Sequence, residues 1–229
     1  MYRTLHDIAP AIRFANRREA GTILAGRLGA YAARSDVLVL GLPRGGMPVA
    51  LEVATALGAP LDVFVVRKLG VPFQPELAMG AIASGGVRVL NDDVIRLCRI
   101  PNHIIEHVAR VEQQELERRE RAYRDGRPAL AIAGRVAILV DDGLATGSTM
   151  RAAVAAVRRL RPARVVVAVP VGARDTCEEL ALSADEVVCA AVPDEFGAVG
   201  AWYEDFAQTT DDEVRTALRE AVEPRGAQS

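Results

Sequence analysis

Residues 140–149 read Val-Asp-Asp-Gly-Leu-Ala-Thr-Gly-Ser-Thr. Asp141 and Asp142 leave an apolar run, and small residues and hydroxyls then lead into an Ala-rich stretch. Gly143 and Gly147 let backbone amides converge, and a helix N-terminus behind them adds partial positive charge. Thr146, Ser148 and Thr149 bring further hydrogen-bond donors. This is chemistry for a phosphate monoester. The acidic pair adds what a phosphate cradle alone does not need: acceptors for sugar hydroxyls, or oxygen ligands for Mg²⁺. An ordinary turn with an N-cap has no need of carboxylates, glycines and hydroxyls together. A P-loop is excluded because no Lys follows Gly147 to reach the outer phosphates.

Other loops carry chemistry more weakly. Leu42-Pro43-Arg44-Gly45-Gly46 follows an apolar run; Arg44 adds charge there, and the glycines allow close approach. Arg67 and Lys68 end another apolar run, and Lys68 is the only lysine in the chain. Residues 69–86 hold Gly70, Pro72, Pro75, Gly80, Gly85 and Gly86, which predicts a long irregular loop of the functional or mobile kind. Glu76, its only carboxylate, is either a proton shuttle or a solvated side chain. Phe196, Trp202 and Tyr203 fall close together in a chain with only 4% aromatics, as a ligand site or a core cluster would have them. His103 and His107 fit H-x-x-E-H at helical spacing. A zinc site would need a third ligand, and a solvated helix face explains the same residues. The charge run 112–124 reads as an exposed helix face or an oligomer contact.

The elements that position these loops are legible from periodicity. Val37–Gly41, Leu61–Arg67, Arg135–Val140, Arg164–Val171 and Glu186–Val192 are apolar runs of strand length. Helical spacing covers 14–33, 47–58, 149–161, 176–182 and 211–222, and a charged helical stretch covers 91–124, with Pro101 opening its second helix. Val87–Leu90 is a candidate short strand, and the tail from Glu223 is expected to fray. Strands alternating with helices predict an α/β fold: a doubly wound, mostly parallel sheet covered on both faces. Ligands of such sheets bind at the carboxyl ends of the strands. The loops 41–46, 67–86, 141–149 and 193–205 all sit at such ends.

With 229 residues, 50% hydrophobic and 25% charged, the chain reads as one domain over 1–229. A net charge of −2 and an isoelectric point near 6.0 mark neither a nucleic-acid nor a membrane binder. The opening residues lack a signal-peptide core, no apolar run reaches membrane-spanning length, and Cys98, Cys177 and Cys189 show no CxxC. These features predict a cytoplasmic protein with reduced thiols.

The whole run VDDGLATGST resembles the motif by which type I phosphoribosyltransferases bind phosphoribosyl pyrophosphate (PRPP). The resemblance covers most of 35–206 and is closest to bacterial members with a helical insert, here 91–125. It implies a Mg²⁺-dependent pentosyltransferase that moves ribose 5-phosphate from PRPP to a nitrogen base, as in nucleotide salvage, with small-molecule partners and a homodimeric state. By that resemblance Asp141 and Asp142 hold the ribose, and Gly143, Leu144 and Ala145 to Thr149 wrap the 5′-phosphate. Pro43, Arg44, Gly45 and Gly46 form the pyrophosphate loop, in which a non-proline cis peptide is expected between Leu42 and Gly45. Arg67 and Lys68 neutralise the leaving group beside a loop that closes over the site. Residues 192–206 correspond to a hood in which Phe196, with Trp202 nearby, stacks on the base and Glu204 or Asp205 faces the metal, giving a metal set of Asp141, Asp142 and Glu204. The lysine that reads the purine oxygen in purine salvage members is replaced by Gly172 and Ala173. A regulator that binds PRPP or a nucleotide without catalysis, and a zinc hydrolase built on His103 and His107, are the alternative readings.

Overall fold

The computed structural model describes residues 13–222, except for the side chains of Pro75 and Glu76. The tail from Glu223 and the Glu76 carboxylate named above therefore lie outside the described residues. Among the described residues, no helix is long and apolar enough to cross a membrane.

The central sheet has five parallel strands: β1 (Val37–Gly41), β2 (Leu61–Val63), β6 (Val136–Val140), β7 (Arg164–Val171) and β8 (Glu186–Ala191), in the order β2-β1-β6-β7-β8. The runs of β1 and β6 are apolar throughout because both faces are covered. Val37, Val39, Ile138 and Val166 face one core layer with helices α1 (Arg17–Arg27), α2 (Gly46–Leu57), α4 (Asn102–Arg124) and α7 (Asp211–Glu220). Leu38, Leu40, Leu139 and Val167 face the other, with α5 (Ser148–Arg159) and α6 (Arg174–Ala181). β1 pairs with β6 in parallel, Gly41 opposite Val140. The chain therefore reverses its winding between β1 and β6. The loops after these strands lead to helices on opposite faces, α2 in one layer and α5 in the other, at the kind of position where ligands of such sheets bind.

One expectation is corrected. The run 61–67 is not one strand, and 69–86 is not an irregular loop. The chain leaves the parallel sheet after Val63 and enters an antiparallel sheet of β3 (Val66–Val71), β4 (Gln74–Ala83) and β5 (Val87–Leu90). Ser84 Oγ accepts from the Val65 amide at 2.9 Å, just before Val66 pairs with Ala83. Gly80 marks close strand approach, since a methyl there would sit 2.5 Å from the Val89 carbonyl. Pro72 and Phe73 make the turn, with Phe73 at φ 67° and fully exposed.

The insert, α3 (Asp92–Leu97) and α4, is part of the core. Ile105, Ala109, Leu116 and Tyr123 bury one face of α4. Its other face carries the charge run, with Glu115 accepting from Arg118 and Arg119 at 2.7 Å. At its C-terminus Arg124 donates to Asp62 Oδ1 at 2.9 Å and to the Val63 carbonyl at 2.9 Å, which ties the insert to β2. Both side chains are about nine-tenths buried. Removing one partner of such a pair strands the other charge, so Arg124→Met is expected to cost about 3 kcal/mol in urea unfolding. Arg124→Met combined with Asp62→Asn should recover part of that loss.

Candidate functional site

The loops after β1 and β6 meet where the winding reverses, and the two are in contact. The Leu42 amide donates to the Val140 carbonyl at 2.9 Å. A methyl at Gly46 would lie 2.7 Å from that carbonyl and 2.9 Å from Asp141 Cα, and one at Gly45 would overlap Asp142 Oδ2. Only glycine lets the Pro43–Gly46 turn lie against the acidic pair. The peptide between Pro43 and Arg44 is cis, within the segment where a cis bond was expected.

Asp141 and Asp142 stand at the carboxyl end of β6 and are largely withdrawn from solvent. Burial, and then the charge of Asp142, push the Asp141 carboxyl well up. Burial also raises Asp142, against the opposing pull of Arg17. Arg17 Nε donates to Asp142 Oδ2 at 2.9 Å, and Tyr203 Oη donates to the Asp142 carbonyl at 2.6 Å. Burial and the Asp142 charge push the Tyr203 phenol far up, so it acts as a donor at every relevant pH.

Beyond the pair, Leu144 turns inward. It is buried, its amide donates to Val171 and its carbonyl accepts from Ala173. That fixes the loop to the end of β7 and leaves Leu144 no amide to offer a ligand. Thr176 Oγ1 donates to the Ala145 carbonyl at 2.6 Å, and Gly147 turns at φ 66° to start α5. Among the described residues, no acceptor takes the amides of residues 145–150, nor the hydroxyls of Thr146, Ser148 and Thr149. The first internal bond of α5 runs from the Arg151 amide to the Gly147 carbonyl at 2.8 Å. A fan of donors at a helix N-terminus, next to two carboxylates, suits an anionic group carried on a polyhydroxylated body.

The remaining candidates are placed less centrally. Arg67 is held by Glu112 of α4, Nε to Oε2 at 2.7 Å. Lys68 is exposed on β3 with no ionic partner among the described residues. Arg44 Nη1 stands 3.7 Å from Asp211 Oδ1, which also accepts from Tyr123 Oη at 2.9 Å. Both arginines are thus tethered by residues of the insert or of α7.

In the hood, Phe196 is half-buried beside Phe14, Val171 and Tyr203. The Trp202 indole donates to the Phe196 carbonyl at 2.9 Å and braces the loop itself. Asp205 accepts from the Ala207 amide, and Glu204 is exposed.

The expected metal set is not assembled. No three His, Cys, Asp or Glu side chains among the described residues come together to hold a metal ion. Asp142 is instead paired with a guanidinium. The same finding applies to His103 and His107: both are exposed, and Glu106 between them pairs with Arg88 at 2.9 Å.

Sequence reasoning missed Arg17, Tyr203 and Thr176. Arg17 lies 125 positions from Asp142 and reads as one more polar residue on an amphipathic helix. No local pattern marks it. Tyr203 was noticed only as a member of an aromatic cluster.

Comparison with known proteins agrees with this geometry. A model of the phosphoribosyl transferase domain matches residues 73–205, which include the loop after β6 and the hood. Two proteins from strains of Mycobacterium tuberculosis, provisionally named phosphoribosyl transferases, are 52% identical over 208 residues, or 91% of this chain. The chain spans 47% of the length of these relatives. A crystal structure from Thermus thermophilus is 46% identical and superposes with a TM-score of 0.82, covering 91% of this chain and 98% of that one. By domain, by sequence and by fold, the chain belongs to the phosphoribosyltransferase family, enzymes of the pentosyltransferase type.

Proposed function

We propose that the chain transfers the ribose 5-phosphate group of PRPP to a nitrogen base and releases pyrophosphate. The observation that carries this reading is the fan of unpaired amides from Ala145 to Met150, set beside Asp141 and Asp142 where the sheet reverses its winding. In the reaction, the C1′–O bond breaks and its electron pair leaves on pyrophosphate. The lone pair of the acceptor nitrogen forms the new bond, and the nitrogen gives up its proton. The sugar passes through a cation-like state at C1′. Catalysis is then mainly electrostatic placement.

In this proposal the amides of Ala145, Thr146, Gly147, Ser148 and Thr149, with the three hydroxyls, hold the 5′-phosphate. Asp141 and Asp142 accept from ribose hydroxyls, and Asp142, paired with Arg17, carries negative charge close to C1′. The amide of Gly45, with Arg44, Arg67 and Lys68, faces pyrophosphate, while the Gly46 amide closes the turn on the Leu42 carbonyl at 3.0 Å. Phe196 offers its exposed face to the base. Pro43, Gly143, Leu144 and Trp202 shape the loops that do this. The hairpin β3–β4, with Phe73 at its tip, is the element that shields the reacting sugar from water. Mg²⁺ enters as a companion of the PRPP diphosphate, since this ion prefers substrate phosphates and water to an all-protein cage. Among the described residues no third His, Cys, Asp or Glu joins Asp141 and Asp142, so the other oxygen ligands of such an ion would be phosphate and water.

Pyrophosphate release from PRPP, measured across a panel of nucleobases, tests the reading. Release with one base names the acceptor. PRPP binding without release for any base would favour a sensor and defeat the transferase reading.

The tether on Arg67 gives a second expectation. A diphosphate must compete with the Glu112 carboxylate for this guanidinium. Glu112→Gln is therefore expected to tighten pyrophosphate binding about threefold, the scale of a partly exposed ion pair. Calorimetry with pyrophosphate checks it, and unchanged affinity would remove Arg67 from the leaving-group site.

A further inference from the structure

The two carboxylate oxygens of Asp142 stand in unequal surroundings. Oδ2 accepts from Arg17 Nε at 2.9 Å and is crowded by Gly45 on another side. Oδ1 accepts from no side chain among the described residues. Arg17 is itself fixed. Its Nη1 donates to the Ala207 carbonyl at 2.7 Å, and its guanidinium carbon lies 3.9 Å from the centre of the Phe206 ring. The guanidinium and the carboxylate retain only 12% and 16% of their side-chain exposure. A charge-assisted hydrogen bond in such surroundings is strong and directional.

The segment that delivers Arg17 is docked just as firmly. The Phe14 amide donates to the Trp202 carbonyl at 2.8 Å, and the Glu204 and Asp205 amides return bonds to Phe14 and Ala15 at 2.8 and 3.0 Å. Asn16 then caps α1 by accepting from the amides of Arg18 and Glu19. Arg17 is the first residue of that helix. Hood, amino-terminal segment and acidic pair are therefore one connected unit, with Arg17 bound to Asp142 and to the Ala207 carbonyl.

We propose that Arg17 is a positioning residue for sugar recognition. By binding Oδ2, it turns the carboxylate so that Oδ1 alone is presented as acceptor to a ribose hydroxyl. By offsetting the charge, it makes Asp142 a reader of hydroxyls rather than a collector of cations. This explains why Asp142 does not join a metal cluster. It also assigns to the hood a task at the ribose, besides any task at the base. The inference rests on the reading of residues 141–149 as a ribose 5-phosphate cradle.

The test is calorimetric titration of the wild type, Arg17→Met, Arg17→Lys, Asp142→Asn and the Arg17→Met/Asp142→Asn double variant. The ligands are ribose 5-phosphate, its 2-deoxy and 3-deoxy analogues, and inorganic phosphate. The wild type should prefer ribose 5-phosphate over at least one deoxy analogue by about tenfold, the scale of a hydrogen bond to a charged group. Arg17→Met should erase that preference while leaving inorganic phosphate affinity within about twofold. Arg17→Lys should restore part of the preference, and the double variant should discriminate no worse than Asp142→Asn alone. Arg17→Met that keeps the preference overturns the proposal. So does equal loss of ribose 5-phosphate and phosphate, which is what a merely structural role in docking the hood would give. A wild type that binds phosphate but ignores the sugar hydroxyls overturns the ribose reading itself, and the inference with it.

Discussion

Asp142→Asn is expected to lower turnover at least about tenfold while the fold survives. The substitution keeps the shape of the side chain. It removes the negative charge that the account places near the cation-like sugar. The amide can still satisfy Arg17 with its oxygen, but its NH₂ group then replaces Oδ1, the Asp142 oxygen to which no side chain donates. A ribose hydroxyl would meet a donor where it needs an acceptor. The fold should lose about 1–3 kcal/mol, because a guanidinium with 12% exposure loses its counter-charge but not its hydrogen bond to Ala207. Steady-state kinetics and urea unfolding on the same preparation separate the two effects. Unimpaired turnover would refute the assignment of the acidic pair.

Gly46→Val is expected to be more damaging still, lowering affinity for the sugar phosphate by about a hundredfold and stability by about 3 kcal/mol. The reason is where the added atoms would go. The first would lie 2.7 Å from the Val140 carbonyl oxygen and 2.9 Å from Asp141 Cα. Both belong to backbone at the carboxyl end of the central strand β6 and cannot rotate aside. The loops after β1 and β6 must therefore separate, and the acidic pair moves with them. Gly26→Ala is the control: a methyl there meets nothing within 4 Å, and on α1 it should be neutral or slightly stabilising. Loss at Gly46 and none at Gly26, read by calorimetry and thermal unfolding, would tie function to the contact between these two loops. A Gly46→Val protein that binds as the wild type does would show that the two loops act independently.

The parallel sheet was legible in the sequence because its central strands β1 and β6 are short and apolar along their whole length, as burial on both faces requires. The loop after β6 was legible because its chemistry is local: carboxylates, glycines and hydroxyls follow one another in the chain. The hairpin β3–β4 was not. Its glycines and prolines read as loop punctuation, whereas Gly80 lies within a strand that passes close to Val89, and the turn at Phe73 uses a positive φ that no propensity marks. The surroundings of the acidic pair were illegible for a different reason. Family position places Glu204 near the acidic pair, but only the folded chain shows that Arg17 pairs with Asp142 and that Glu204 faces solvent. The insert looked like an exposed charged helix because charges outnumber its buried positions. Ile105, Ala109, Leu116 and Tyr123 are spaced along one face, and that face is what the protein covers.

The central claim is that residues 141–149 bind the ribose 5-phosphate end of PRPP. Calorimetric titration of the protein with PRPP in the presence of Mg²⁺ tests it most directly. The account predicts saturable binding of one PRPP per chain, competed by ribose 5-phosphate and weakened by Asp142→Asn. The absence of any binding by the wild-type chain would contradict it.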